Sequence, residues 1–408
     1  MKKTLLIIGG ILFILVLLGI WLYLLFFGAP ENVDDVFSDF SSGGDAPVVE
    51  PEPNDGDREP VSEDATTDVS TAVQNPLRQI TTEPVIGKQI ISIESTEEEA
   101  ATSTNAQMFI RYAEAGTGHV YDYDPQTSER VRISSATIPE ANNAYISLDG
   151  TYVVIESQNQ LQLITVDDTE ASSPQELSFT ADNPHITEDN IFVYTNRTAD
   201  GTTGYAYNLE TGTLETLFTT PMQWVTVSWG LQHDSQHIIY SRPADSLIGY
   251  AYHVTPYQSE HKRLPIAGFG LTLLHNDGKV YYSTVSDPNN PADRTSFVYD
   301  TATSETVRLA NTIVPDKCVF SEYHERLWCA NDSSQETSLS SWYKGTATYS
   351  DSLWSTDPRL GSSRHQINPM RAAGRSIDVT GLHTQNNQPI FLLTNKIDRA
   401  LWLHDPTL

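Results

Sequence analysis

The chain has 408 residues, 53 acidic against 24 basic side chains, and a formal charge of −29. That acidity excludes direct binding to nucleic acid or anionic lipid, because phosphate recognition needs a basic surface. Plentiful Tyr, with Gly, Thr, Asn, Asp and Ser punctuating at short intervals, is the composition of a β-protein rich in turns.

The first 28 residues read as a transmembrane signal anchor. Residues 5–27 carry no charge and form enough apolar helix to cross a hydrocarbon core of ~30 Å. Lys2 and Lys3 precede the run, while Glu31, Asp34 and Asp35 follow it. The positive-inside rule then places the N-terminus in the cytoplasm and the rest outside, in the cell envelope. A cleaved signal peptide is the alternative, but the run exceeds the usual apolar core of ~7 to 15 residues. Residues 29–75 are dense in Asp, Glu, Pro and Ser with little basic balance, and read as a disordered acidic linker that tethers residues 76–408.

Within residues 76–408, three segments align: VYDYDPQTSERVRI from Val120, GYAYNLETGTLETLF from Gly204 and SFVYDTATSETVRL from Ser296. Each shows an alternating strand, then Asp124, Asn208 or Asp300, a Thr three residues on, Ser or Gly, and a second strand. Each reads as a hairpin whose Asp or Asn caps the turn with its own side chain. Two further strand-like runs precede each hairpin, so the unit recurs every ~40 to 45 residues, the period of four-stranded propeller blades. Units are expected at 84–135, 144–179, 183–220, 223–266, 268–311 and 314–368, the first interrupted by the acidic loop STEEEAATSTNA and the last irregular in its outer half. The final unit, from residue 376, supplies three strands. Leu77-Arg78-Gln79-Ile80 resembles the outer strands VRI and VRL, so residues 77–81 are expected to complete it beside residues 400–404. The expected fold is all-β, a seven-bladed β-propeller closed by strands from the two ends, with six or eight blades as alternatives.

Cys318 and Cys329 flank a turn in KCVFSEYHERLWC. Pairing outward from Tyr323-His324 sets them opposite each other, close to disulfide reach, and oxidation is favoured outside the cytoplasm. A buried thiol pair is the alternative. A metal site lacks converging ligands.

SLDGTYVVIES resembles the S-P-D-G-x-x-[IVL]-[AV]-[YF] signature of TolB-like, or PD40-type (WD40-like), propeller repeats, with Ser147, Asp149 and Gly150 matching and Leu148 replacing the proline. FIRYAEAGTGHVYDY, RISSATIPEA, DKCVFS, RLWCA and SWYKGTATYSDSLW together resemble membrane-anchored propeller proteins of candidate-phyla-radiation (Patescibacteria-type) bacteria over most of residues 77–408. That resemblance implies the anchor, the propeller and the paired cysteines. It carries no activity and no cofactor across.

Catalytic signatures are missing. There is no G-x-S-x-G motif and no length to spare for an α/β-hydrolase domain. Ser147-Leu148-Asp149-Gly150-Thr151 lacks sialidase-box spacing, and D-x-D-x-D-G calcium loops are absent. His119, His185, His233, His237 and His261 read as packed or solvated side chains. Trp224 and Trp229 read as core-lining. Trp342, Tyr343, Tyr349 and Trp354 cluster in sequence and read as aromatic packing between blades or as a binding face. The resulting expectation is a non-enzymatic interaction or scaffolding module with no cofactor and no metal. Its partners would be envelope or surface proteins, such as a pilus or secretion apparatus. A glycan-binding or glycan-processing protein with its site in the propeller channel is the alternative.

Overall fold

A computed structural model describes residues 75–93, 107–167, 170–332, 338–385 and 387–408. The anchor at 5–27, the acidic linker to residue 74 and the loop STEEEAATSTNA lie outside the described residues. Among the described residues no helix is long and apolar enough to cross a membrane.

The described chain is built from successive antiparallel sheets. The first contains β2 (Val85–Ile93), β3 (Gln107–Glu114), β4 (Val120–Tyr123) and β5 (Arg130–Arg132). The second contains β6 (Ala141–Ile146), β7 (Tyr152–Ser157), β8 (Gln160–Asp167) and β10 (Gln175–Leu177), with the short β9 (Glu170–Ala171) beside β8. The third runs β11 (Asp182–Ile186), β12 (Ile191–Thr198), β13 (Gly201–Asn208) and β14 (Leu214–Thr220). A seven-stranded sheet follows: β15 (Val225–Ser228), β16 (His237–Ser241), β17 (Ile248–Val254), β18 (His261–Asn276), β19 (Lys279–Asp287), β20 (Asn290–Asp300) and β21 (Thr306–Arg308). Next come β22 (Cys318–Ser321), β23 (Arg326–Asp332), β24 (Asp351–Thr356) and β25 (Ser363–Ile367), and finally β26 (Val379–His383), β27 (Phe391–Asn395) and β28 (Leu401–His404). The outer partner of β28 is β1 (Leu77–Gln79), with Leu77 opposite His404 and Gln79 opposite Trp402. This is the composite sheet read from the sequence, and the architecture matches a β-propeller.

Three aligned hairpins show why the repeat was legible. Asp124, Asn208 and Asp300 each accept backbone N–H groups two and three residues on, at 2.7 to 3.3 Å. The turn exits through a left-handed residue, Ser128, Gly212 or Ser304. Asp357 makes the same turn in the fifth sheet, exiting at Gly361. The outer hairpin of that unit thus keeps the common turn, while its register shifts between Leu353 and Trp354. The unit also has a long connection between β23 and β24, which carries a short helix, α1 (Leu339–Tyr343).

The unit boundary expected near residue 267 is absent, because β18 passes straight through it. Its first half pairs with β17 and its second with β19, the register shifting between Phe269 and Thr272. Gly270 takes a left-handed φ of 56° at that shift, and a Cβ on Gly268 would lie 2.5 Å from Thr284 Cγ2. Glycines thus let one strand change partners without a loop.

Apolar side chains occupy the space between neighbouring sheets. Val153, Ile155 and Ile164 pack on Ala113 and Val120; Phe192 and Tyr194 pack on Val154 and Leu163; Val193 and Leu217 pack on Ile239 and Val254. Within the seven-stranded sheet, Tyr240 and Ile266 meet Leu273 and Val280. Tyr281 and Val298 meet Leu327 and the cysteines, Trp328 and Leu353 meet Phe391 and Leu393, and Leu401 and Leu403 return to Ile90 and Tyr112. Burial of each such Leu, Ile or Val is worth roughly 1.5–3 kcal/mol. Cys318 and Cys329 are directly opposed and form a disulfide, with Cα atoms 4.1 Å apart.

Candidate binding face

Strands alternate in direction, so the segment before each sheet's first strand and the connection between its second and third strands meet at one end. The segments at 221–224, 242–247, 309–317, 338–350 and 368–378 therefore share a face.

Helix α1 sits on that face. Ser338 starts it, its Oγ accepting from Ser341 N and donating to Asp245 Oδ2 at 2.6 Å. Asp245 also pairs with Arg294 at 3.2 Å, which fastens the helix to the seven-stranded sheet. Leu339, Trp342 and Tyr349 are buried together against Val314. Tyr343 is 42% exposed, and its hydroxyl donates to Asp316. Asp316 lines a cleft yet is closely walled by protein, and that burial raises its carboxyl above the ordinary value. Trp354 stands apart from the other three aromatics: it lies on β24 opposite Cys329, its ring edge-on to His365 at 5.0 Å.

Beneath α1 is a feature the sequence reading missed. Lys317, in the 3-10 turn Pro315–Lys317, is 0% exposed. Its Nζ lies 2.6 Å from Asp351 Oδ2 and 2.7 Å from Asp378 Oδ1, and both carboxylates are buried. Trp342 and Tyr349 present ring faces to the ammonium at 4.7 and 4.5 Å. Asp378 further accepts from Trp342 Nε1 at 2.8 Å and Tyr349 N at 3.1 Å, while Asp351 Oδ2 accepts from Val379 N at 2.7 Å. Asp351 Oδ1 is buried without a hydrogen-bond partner among the described residues. Burial pushes the Asp351 carboxyl up to about 6, with Lys317 opposing that shift. A buried charge cluster of this kind holds α1 and two sheets in one arrangement, since removing any member strands the others.

Outward from α1 runs a cleft of about 680 Å³, lined by Tyr240, Arg242, Asp245, Asp316, Tyr343 and Lys344. Arg242 and Thr226 also line a neighbouring recess of about 310 Å³ with Asn183, Arg197 and Trp224. Trp224 is 57% exposed, with the Arg197 guanidinium over its ring at 4.0 Å and that of Arg242 at 5.8 Å. This corrects the expectation that Trp224 lines the core. Trp229 does pack inward, donating Nε1–H to Asn183 O at 2.7 Å. Trp224 precedes β15, where alternation no longer assigns a side chain to a face, so only the fold distinguishes the two.

First strands from all the sheets, with the residues that follow them, wall a cavity of about 360 Å³. Lys88, His185, Glu188 and His383 reach it. Lys88 donates to Thr394 Oγ1 at 2.7 Å, and burial lowers it to about 8. His185 is exposed at the cavity wall yet closely surrounded by protein, which lowers it to about 4; burial, and then the charge of Lys88, lowers His383 to about 3. Among the described residues no metal-binding cluster of His, Cys, Asp and Glu is present.

No family model and no curated protein matches the chain. Solved structures do. The chain is similar to an oligogalacturonate lyase in complex with manganese, with a TM-score of 0.52, 11% identity, and coverage of 73% of this chain and 85% of the lyase. It is also similar to YCF48 bound to D1 peptide, with a TM-score of 0.51, 8% identity, and coverage of 81% of this chain and 96% of that one. At such identities the likeness shows the propeller fold alone.

Proposed function

We propose that this chain is a seven-bladed, TolB-like propeller, held outside the cell membrane by residues 5–27, that binds an envelope or surface protein through the face carrying α1. The blade count rests on dividing the seven-stranded sheet at Gly270 into two blades that share β18. Seven apolar clusters, six between neighbouring sheets and one within the seven-stranded sheet, taken in order, then close a circuit. The observation that carries the binding reading is the continuous surface formed by the 680 Å³ cleft and the Trp224 recess. It offers exposed Trp, Tyr and Arg side chains, the types that dominate protein-binding hot spots, on a face held by buried ion pairs. A preorganised face loses little conformational entropy on binding.

The test is crosslinking pull-down with the full anchored protein against a folded Trp224→Ala/Arg242→Glu/Tyr343→Ala variant. Recovery of a defined set of envelope proteins by the wild type, with at least a tenfold loss in the variant, is the expected outcome. Equal recovery by both would remove this face as the binding surface. Recovery of glycan fragments instead of proteins would move the site to the channel.

A further inference from the structure

The Lys317 cluster has the components of a condensation reaction. An amine and a carboxyl group are within hydrogen-bond distance and fully buried, a second carboxylate touches the same amine, and aromatic rings close the site to water. We propose that Lys317 Nζ and the side-chain carboxyl of Asp351 condense into an intramolecular amide, with Asp378 as the proton carrier.

The two carboxylates differ in a way that assigns their roles. Asp378 accepts from Lys317, Trp342 Nε1 and Tyr349 N, so its oxygens are tied to donors and its position is fixed. Asp351 is lopsided: Oδ2 accepts from Lys317 and from the Val379 N–H, while Oδ1 has no partner among the described residues. Oδ2, the oxygen in contact with the ammonium, is therefore the one that takes its proton and leaves, steadied by the Val379 N–H, and Oδ1 stays behind as the amide carbonyl oxygen. A desolvated ion pair also favours transfer of the ammonium proton to a carboxylate, since neutral partners are easier to bury than charged ones. The raised Asp351 carboxyl agrees with that direction.

The step balances. Lys317 first gives one proton to Asp351 Oδ2, leaving a neutral amine and a neutral acid. The nitrogen lone pair forms a bond to Asp351 Cγ, and Asp378 removes a proton from the nitrogen. The Cγ–Oδ2 bond then breaks, and the leaving hydroxyl takes the proton from Asp378. One water departs, Asp378 is again a carboxylate, and no oxidant, reductant or activating group is consumed. The product ties the segment before β22 to the start of β24, closing a covalent loop around the connection that carries α1. Cys318 and Cys329 bridge the same sheet one residue further along.

Mass spectrometry decides the matter. The reduced full-length chain should weigh one water less than its composition, and proteolysis should yield a branched peptide joining Lys317 to Asp351. The branch must be located, because Asp-Gly pairs such as Asp149-Gly150 can lose water by cyclising. A full-composition mass, with Lys317 and Asp351 recovered on separate peptides, would overturn the proposal. Lys317→Arg keeps the charge and removes the nucleophile, so the branched peptide should vanish; a water deficit of the same size in that variant would place the loss elsewhere. Asp378→Asn should bring cross-linking down at least tenfold in protein of native circular dichroism, and undiminished cross-linking would remove Asp378 as the proton carrier.

Discussion

Two junctions between neighbouring sheets solve the same packing problem by different chemistry. Where the β2–β5 sheet meets the β6–β10 sheet, the contact is apolar, with Val120, Ile138, Val153, Ile155 and Ile164 filling the space. Where the β22–β25 sheet meets the β26–β28 sheet, the apolar layer of Trp328, Leu353, Phe391 and Leu393 is joined at one end by Lys317, Asp351 and Asp378. An apolar junction degrades gradually, because each lost methylene costs its own transfer energy and a small cavity. The charged junction is close to all-or-nothing, since an unpaired buried charge is far worse than a void. The second junction also supports α1, so the rigidity of the proposed binding face depends on its least forgiving contact.

Breaking the charged junction should have the largest effect. Lys317→Met leaves two buried carboxylates without a cation and should cost about 3–5 kcal/mol, read as a fall in the urea midpoint. Ile155→Val in the apolar junction should cost only about 0.5–1.5 kcal/mol. Equal losses for the two would erase the distinction.

His237 provides an intermediate case, a buried polar group kept neutral. Its Nδ1 accepts from Gly230 N at 3.0 Å and its Nε2–H donates to His233 O at 3.1 Å, and burial lowers it to about 4. A depressed folded value means the unfolded chain takes up the proton first as pH falls. The contribution of His237 is complete above the unfolded value of ~6.5 and declines from there to about 4, at roughly 1.4 kcal/mol per pH unit. Urea midpoints measured across that window should fall more steeply for the wild type than for His237→Asn. Parallel curves would mean that His237 does not titrate differently on folding.

An effect as small as that of Ile155→Val belongs to the exposed turns. Asp300→Ala removes two side-chain-to-backbone hydrogen bonds and should cost about 1 kcal/mol, and Asp124→Ala should add independently because the two turns lie in different sheets. A double variant much worse than the sum would show that the sheets are coupled more tightly than separate turns predict.

What the sequence determined by itself was local or periodic. Asp124, Asn208 and Asp300 announce their hairpins because each turn is closed by hydrogen bonds spanning two or three residues, and a short stretch of chain contains all the partners. Cys318 and Cys329 were placed opposite each other because a hairpin register is counted outward from its turn; the turn spans four residues rather than two, yet the register is the same. The likeness of Leu77-Arg78-Gln79 to other outer strands located its partner, β28, across the length of the chain. The tertiary structure alone decided the rest. Lys317 meets Asp351 and Asp378 from 34 and 61 residues away, and on the page it is one lysine between Asp316 and Cys318. Trp224 and Trp229 look alike in WVTVSW, and only the packing of neighbouring sheets leaves one in solvent and folds the other inward. Short-range hydrogen bonds are written into adjacent residues, whereas the burial of a charge or the exposure of a ring depends on which distant segments arrive beside it.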